Sequence, residues 1–280
     1  MHRPTPHPHV LIIAGSDPSC GAGCQADIKT VSALGGYACM AVTALVVENT
    51  RRVESLNPVS AKLIERQCEI VLEDVEIDAV KIGMAPTVEA ARAIARVIKK
   101  WGLKNVVWDP VMAATSGDSL IEKDSAAEGL RDVLLPLAEV VTPNALELAR
   151  LAGAHGEARS EAELLEQSEK VLGFGAKRVL AKGGHMTGPN ATDWLVERGK
   201  RTAFSKPRVE TNNTHGSGCT YSSAIACLLA QSESVEQAVE RAKEYEQRAI
   251  EGSKNWKLGK GHGPLKHFDE RAVAYEWTRR

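Results

Sequence analysis

Apolar residues follow two rhythms along this chain. Short continuous runs such as "HVLIIAG" stop at glycine and read as strands covered on both faces. Other segments space their apolar residues at helical intervals, as in "GAGCQADIKTVSALGG", which ends in a Gly-Gly stop before "YACMAVTALVV" returns to strand-like composition. The alternation continues with a helix over "SAKLIERQCEIVLEDV", a strand at "AVKIGM", a helix over "TVEAARAIARVIKKWG" and a strand at "NVVWDPV". Next come "AEVVTPN" leading into a helix at "ALELARLAG", a helix through "EAELLEQSEKVLGFG" and the strand "RVLAKGG". "ATDWLVERGKRTAFSKPRV" reads as a hairpin because "RGK" divides two short mixed runs, and "NTHGSGCTYSSAIACLLA" as a glycine loop opening an apolar helix. The pattern predicts an α/β protein of three layers, α/β/α, around a mostly parallel central sheet. With no linker, composition break or repeat, residues 9–280 are expected to form one domain. Residues 1–8 are expected to be a disordered leader, in which His7, with neighbouring His9, lacks the companions of a closed metal site.

Composition narrows the partners. The 280 residues are 43% hydrophobic, enough for a substantial core, and 35 basic residues balance 36 acidic ones without long blocks of either sign. That gives no case for nucleic acid or an anionic membrane as partner. No apolar run approaches the roughly 20 residues that span a bilayer, so a cytoplasmic small-molecule role is expected. The six cysteines form no C-x-x-C pair and have no histidine at zinc spacing, which makes buried thiols the default reading.

In open α/β sheets ligands sit beyond the carboxyl ends of the strands, so the residues there carry the candidate chemistry. Neither G-x-x-x-x-G-K-[ST] nor G-x-G-x-x-G is present. What stands in their place is Gly216 and Gly218 at the mouth of a helix, where backbone N–H groups converge on an anion such as a transferred phosphoryl group. Cys219 follows at once, in the field that lowers a thiol's pKa, and a thiolate there would accept a substrate proton. The alternative for Cys219 is a small residue that lets helices pack; Cys227 reads as structural. Asn144 and Glu147 suit either a capping box or a magnesium site that Asp109 would join, and Asp109 alone also suits a turn. Lys182, flanked by Gly183 and Gly184, suits phosphate oxygens or plain solvation.

In order, "AGSDPSCGAGCQADIKT", "VTALVVENT", "KIGM", "WDPVM", "TPN..E", "KGGH", "THGSGC" and "GHGP" resemble the hydroxymethylpyrimidine and phosphomethylpyrimidine kinases of thiamin biosynthesis, within the ribokinase-like superfamily. The likeness runs over about residues 9–268. It implies a kinase using ATP and Mg2+ that phosphorylates 4-amino-5-hydroxymethyl-2-methylpyrimidine and then the monophosphate. By the same resemblance, Gly15, Ala22, Glu48, Met84 and Val111 would contact the pyrimidine, with Asp27 close by. Thr214, Gly216, Ser217 and Gly218 would form the anion hole, Lys182 would meet the phosphates, and Asn144 with Glu147 would serve the metal region. Cys219 would stand where most ribokinase relatives carry an aspartate base, and the protein would be a homodimer. Three positions depart from the family pattern. Cys20 replaces a glycine and Cys24 an aliphatic residue, both tolerable if φ stays negative, and Glu48 replaces a glutamine. A pyridoxal or pyridoxine kinase and a non-catalytic pyrimidine sensor are the rival readings.

Overall fold

The computed structural model describes residues 7–112, 124–184 and 186–268. Nine strands form one sheet: β1 (His9–Ser16), β2 (Tyr37–Asn49), β3 (Arg52–Pro58), β4 (Ala79–Ile82), β5 (Val106–Trp108), β6 (Val140–Val141), β7 (Val179–Ala181), β8 (Asn190–Glu197) and β9 (Lys200–Pro207). Their spatial order is β3-β2-β1-β4-β5-β6-β7-β8-β9. The run from β2 to β7 is parallel throughout, whereas β3, β8 and β9 join by antiparallel pairing at the two edges. Eight helices accompany the sheet among the described residues: α1 (Gly23–Ala33), α2 (Ala61–Leu72), α3 (Val88–Trp101), α4 (Asp124–Leu134), α5 (Ala145–Ala152), α6 (Glu161–Gly173), α7 (Ser217–Ala230) and α8 (Val235–Ser253).

The pleat of β1 accounts for the three layers. Leu11 and Ile13 point into a cluster with Ile64, Ile94, Leu134 and Leu148 from α2 to α5, while Val10, Ile12 and Ala14 join Val31, Ile225 and Val239 from α1, α7 and α8. Both faces are covered, which is why the strand is a continuous apolar run. Burying each such side chain contributes about 1.5–3 kcal/mol. Local signals set the helix ends: Thr87 Oγ1 accepts from Ala90 N–H at 3.1 Å to start α3, and Gly102 stops it at φ 60°.

The strands and helices read from the pattern are present, and the expected hairpin is β8–β9 with Gly199 at φ 75° in its turn. Three elements are additional. β3 is an edge strand whose residues are mostly exposed, so it lacks the buried alternation that marks a strand. α4 buries Ala127, Leu130 and Leu134 among polar and charged residues, and in α8 the alanines Ala238, Ala242 and Ala249 form much of the hidden stripe. Of the expected leader, residues 1–6 lie outside the described residues, while Pro8 already accepts Tyr37 N–H at 2.8 Å and His9 belongs to β1. No described helix is long and apolar enough to cross a membrane.

Candidate active site

A cavity of about 600 Å3 opens along the carboxyl ends of the parallel strands. Of the residues named from the sequence, Gly15, Ala22, Glu48, Met84, Val111, Asp109, Asn144, Glu147, Lys182, Thr214, Gly216, Ser217, Gly218 and Cys219 line it. The parallel order of β2, β1, β4, β5, β6 and β7 brings them together, since each parallel strand delivers its following residue to the same edge.

The glycine loop is shaped by contact with the loop after β1. Gly216 caps α7 at φ 83°, and a Cβ there would lie 2.0 Å from the Gly21 carbonyl oxygen. Only glycine fits. Thr220 N–H reaches back to Gly216 O at 2.9 Å, which starts the helix, and Ser217 N–H donates to Thr214 O at 3.1 Å. The Ser217 amide is therefore occupied by the turn, and the expected convergence narrows to the amides of Gly218 and Cys219. At a helix start these have no intrahelical acceptor.

Lys182 and Asp109 lie beneath this loop. Lys182 Nζ is 3.0 Å from Asp109 Oδ1, which also accepts from Thr142 Oγ1 at 3.1 Å, while Ser222 Oγ donates to Asp109 Oδ2 at 3.3 Å. Burial alone would discharge Lys182, but Asp109 and Glu147 beside it hold its ammonium above the ordinary lysine range. Asn144 and Glu147 form the capping box of α5, with Glu147 N–H donating to Asn144 Oδ1 at 3.0 Å and Asn144 N–H to Glu147 Oε2 at 2.8 Å. The capping role and a place in the cavity wall thus coexist in one residue. Burial pushes the Glu147 carboxyl up to about 7, with Lys182 opposing and Asp109 adding to the rise.

Three expectations are corrected. Asp27 is fully buried and absent from the cavity wall: both its oxygens meet Lys81 Nζ, at 2.9 and 2.8 Å, and Oδ1 accepts from Ser223 Oγ at 2.7 Å. Lys81 lines the cavity in its stead. The thiol of Cys219 is pushed up to about 12, not down, because burial and the carboxylates of Asp27 and Asp109 outweigh the Lys81 cation. Cys20 has φ 60°, in the left-handed region, so the condition of a negative φ fails there; Cys24 sits within α1, buried.

Several residues of the wall, and Asp17 behind it, were missed. Lys81 stood in plain view, since a lysine inside an apolar strand needs a buried anion. Asp17 and His215 are 198 residues apart and pair at 2.8 Å between Oδ2 and Nε2, a relation no local pattern carries. At the far end of the cavity Lys243 Nζ lies 2.7 Å from Asp193 Oδ2 and 5.4 Å from the centre of the Tyr221 ring. Asp193 in turn accepts Gly183 N–H at 2.9 Å, fixing the turn after Lys182.

The arrangement is one apolar subsite walled by Ala14, Gly15, Val46, Met84 and Val111, a row of cations, and the helix-start residues Gly218 and Cys219 between them. Gly15 makes room for Met84, whose Cε would lie 2.2 Å from an added Cβ. Such a site accommodates a flat, largely apolar ligand beside an anion.

The phosphomethylpyrimidine kinase family matches residues 17–266. The hydroxymethylpyrimidine/phosphomethylpyrimidine kinase of Salmonella typhimurium is 44% identical, with the match covering 93% of this chain and 97% of the relative. Among solved structures, the ADP complex of Bacillus subtilis pyridoxal kinase superposes with a TM-score of 0.84 at 34% identity, over 93% of this chain and 97% of that one. Phosphomethylpyrimidine kinase from Clostridium difficile gives 0.75 at 38% identity, over 87% and 99%. The ribokinase-like layering and these matches agree: the chain belongs to the phosphomethylpyrimidine kinase family.

Proposed function

We propose that the protein moves the terminal phosphoryl group of ATP to the hydroxymethyl oxygen of 4-amino-5-hydroxymethyl-2-methylpyrimidine, and then to the resulting monophosphate, in thiamin biosynthesis. The observation that carries the reading is the juxtaposition of the Gly218 and Cys219 amides with the Lys182 ammonium at one end of an apolar subsite. Phosphoryl transfer runs through a loose transition state, so fixed charge and alignment matter more than nucleophile strength. The two amides and Lys182 would receive the charge on the migrating group. Gly15, Met84 and Val111 would sandwich the ring, with Ala22 and Glu48 at its edge.

Asp109 and Glu147 offer the hard carboxylate oxygens that Mg2+ takes; they would hold that cation, which would offset the charge of a nucleotide's phosphates. Asn144 orients Glu147 through the capping box. Cys219, at the loop, is the proton acceptor for the alcohol; a thiol holding its own proton cannot take another, so this role belongs to the small thiolate fraction. Asp27 acts through Lys81, holding that cation near Cys219. The reading includes a cytoplasmic location and a homodimer, the latter supported by Tyr37, Met40, Leu45 and Val47 standing exposed along β2.

The test is incubation with ATP, Mg2+ and a panel of heteroaromatic alcohols that includes pyridoxal and pyridoxine, with products identified by mass. The aminopyrimidine gaining one and then two phosphates is the expected result. Preferential phosphorylation of the B6 compounds would favour the pyridoxal kinase, and binding without ATP consumption the sensor.

A further inference from the structure

Three segments distant in sequence meet beside the cavity: Asp17, the residue after β1, with Glu48 at the end of β2 and His215 in the loop before α7, the last two in the cavity wall. Each offers one ligand atom, and the three atoms lie within 4.8 Å of one another. Asp17 is 1% exposed and rigidly held, its carboxylate accepting from Ser19 N–H at 2.7 Å, Ser19 Oγ at 2.9 Å and Ala22 N–H at 2.7 Å. His215 is anchored through its own N–H to Gly263 O at 3.0 Å, and its ring lies against Gly21, where an added Cβ would come within 2.3 Å. The first two ligands are held close to one another before any cation arrives.

Their spacing is informative. Two adjacent ligands at about 2.1 Å from a metal stand about 3.0–3.4 Å apart, so His215 Nε2 and Asp17 Oδ2, 2.8 Å apart in their hydrogen bond, need separate by only a few tenths of an ångström to share a cation. Glu48 faces that edge from the cavity wall, with His215 on the same wall, so the remaining coordination positions open to the ligand space. One imidazole and two carboxylates form a mixed nitrogen and oxygen set, suited to a borderline divalent cation and unlike the all-oxygen pair of Asp109 and Glu147. A glutamine at position 48 would offer only a neutral amide oxygen.

We propose that Asp17, Glu48 and His215 form a binding site for a divalent transition cation of the zinc class at the mouth of the apolar subsite. In the free protein Nε2–H donates to the Asp17 carboxylate; on binding, that proton is released to water, Nδ1 carries the ring's remaining proton, and the Nε2 lone pair goes to the metal in place of the bond to Asp17. The three residues keep their oxidation state, and the one bond broken is His215 Nε2–H, its proton lost to solvent as the N–metal bond forms. The cation occupies the corner where an aromatic ligand's polar edge would lie, so metal and ligand exclude one another. The site does not depend on the phosphoryl-transfer reading.

The experiment is equilibrium dialysis of the full chain against Zn2+ without nucleotide, in excess Mg2+ to fill hard sites, together with crystals scanned at the zinc absorption edge. About one Zn2+ per chain is expected, with an anomalous peak at bonding distance from all three side chains and at least a tenfold loss of affinity in Glu48→Gln. His215→Gln is the second variant, should Glu48→Gln unfold, with melting curves checking both. Absence of stoichiometric binding, affinity unchanged in a folded variant, or a peak at a cysteine or at Asp109 would overturn the proposal.

Discussion

Lys182 and Asp109, delivered by β7 and β5 from either side of β6, close their 3.0 Å ion pair directly under Gly218, where a Cβ would lie 3.1 Å from Lys182 Nζ and 3.5 Å from Asp109 Oδ2. Gly218→Ala should therefore displace the ammonium while improving helix propensity by up to about 1 kcal/mol. Turnover is expected to fall about 10- to 100-fold with the melting temperature unchanged or raised. Steady-state kinetics alongside thermal denaturation check this, and loss of activity only in parallel with loss of stability would refute it.

The Cys219 thiol, pushed up by burial to about 12, gives the reaction a pH signature. The thiolate fraction rises tenfold per pH unit below that value, so kcat should climb with a log–log slope near one between about pH 6.5 and 8.5. Cys219→Ala should lose about 10²–10⁴ in rate together with the slope. Cys219→Asp, ionised across this range, should flatten the profile while keeping more activity than alanine. Single-turnover measurements would isolate the chemical step, and a flat parental profile would send the proton directly to the phosphoryl oxygen.

Asp27 and Lys81 are both fully buried and bonded to each other at 2.8 Å. Removing one partner strands a buried charge, so Lys81→Met is expected to destabilise by about 3–5 kcal/mol, whereas Lys81→Met with Asp27→Leu should recover much of that loss. Urea denaturation of the single and double variants measures the difference. A double variant as unstable as the single one would contradict the pairing.

His267 is buried against α7, its Nε2 3.0 Å from Thr220 Oγ1, and burial pulls its pKa from 6.5 to about 3. Between those values the unfolded chain binds the proton and the folded one does not. Stability is therefore full above about pH 6.5 and declines as pH falls, by up to about 1.4 kcal/mol per unit from this residue. His267→Gln should lessen the slope between pH 4 and 6; an identical slope in chemical denaturation would refute the assignment.

Cys20 holds φ 60° without being glycine. An L-residue pays about 1–2 kcal/mol there, partly offset in comparisons with glycine by the looser unfolded chain. Cys20→Gly should stabilise by about 0.5–1 kcal/mol, read from denaturant midpoints.

Much of the fold was legible because parallel strands buried on both faces advertise themselves, as at Val10–Ala14, and because caps and glycines mark helix ends, as at Thr87 and Gly102. β3 and α8 escaped notice because one is polar on an edge and the other hides alanines among charges. Site residues that follow a strand could be named from position alone. What sequence could not carry was pairing across the chain. Whether Asp27 faces ligand or Lys81, and whether a helix-start thiol is raised or lowered, depends on neighbours that only packing supplies.

The account rests on the amides of Gly218 and Cys219 meeting the transferred group. A crystal structure with ADP, aluminium fluoride, Mg2+ and the aminopyrimidine alcohol tests it most directly. The fluoride should lie within hydrogen-bond reach of both amides and of Lys182 Nζ, with the alcohol oxygen facing Cys219 Sγ. A nucleotide tail docked elsewhere, with those amides turned to protein carbonyls, would contradict it.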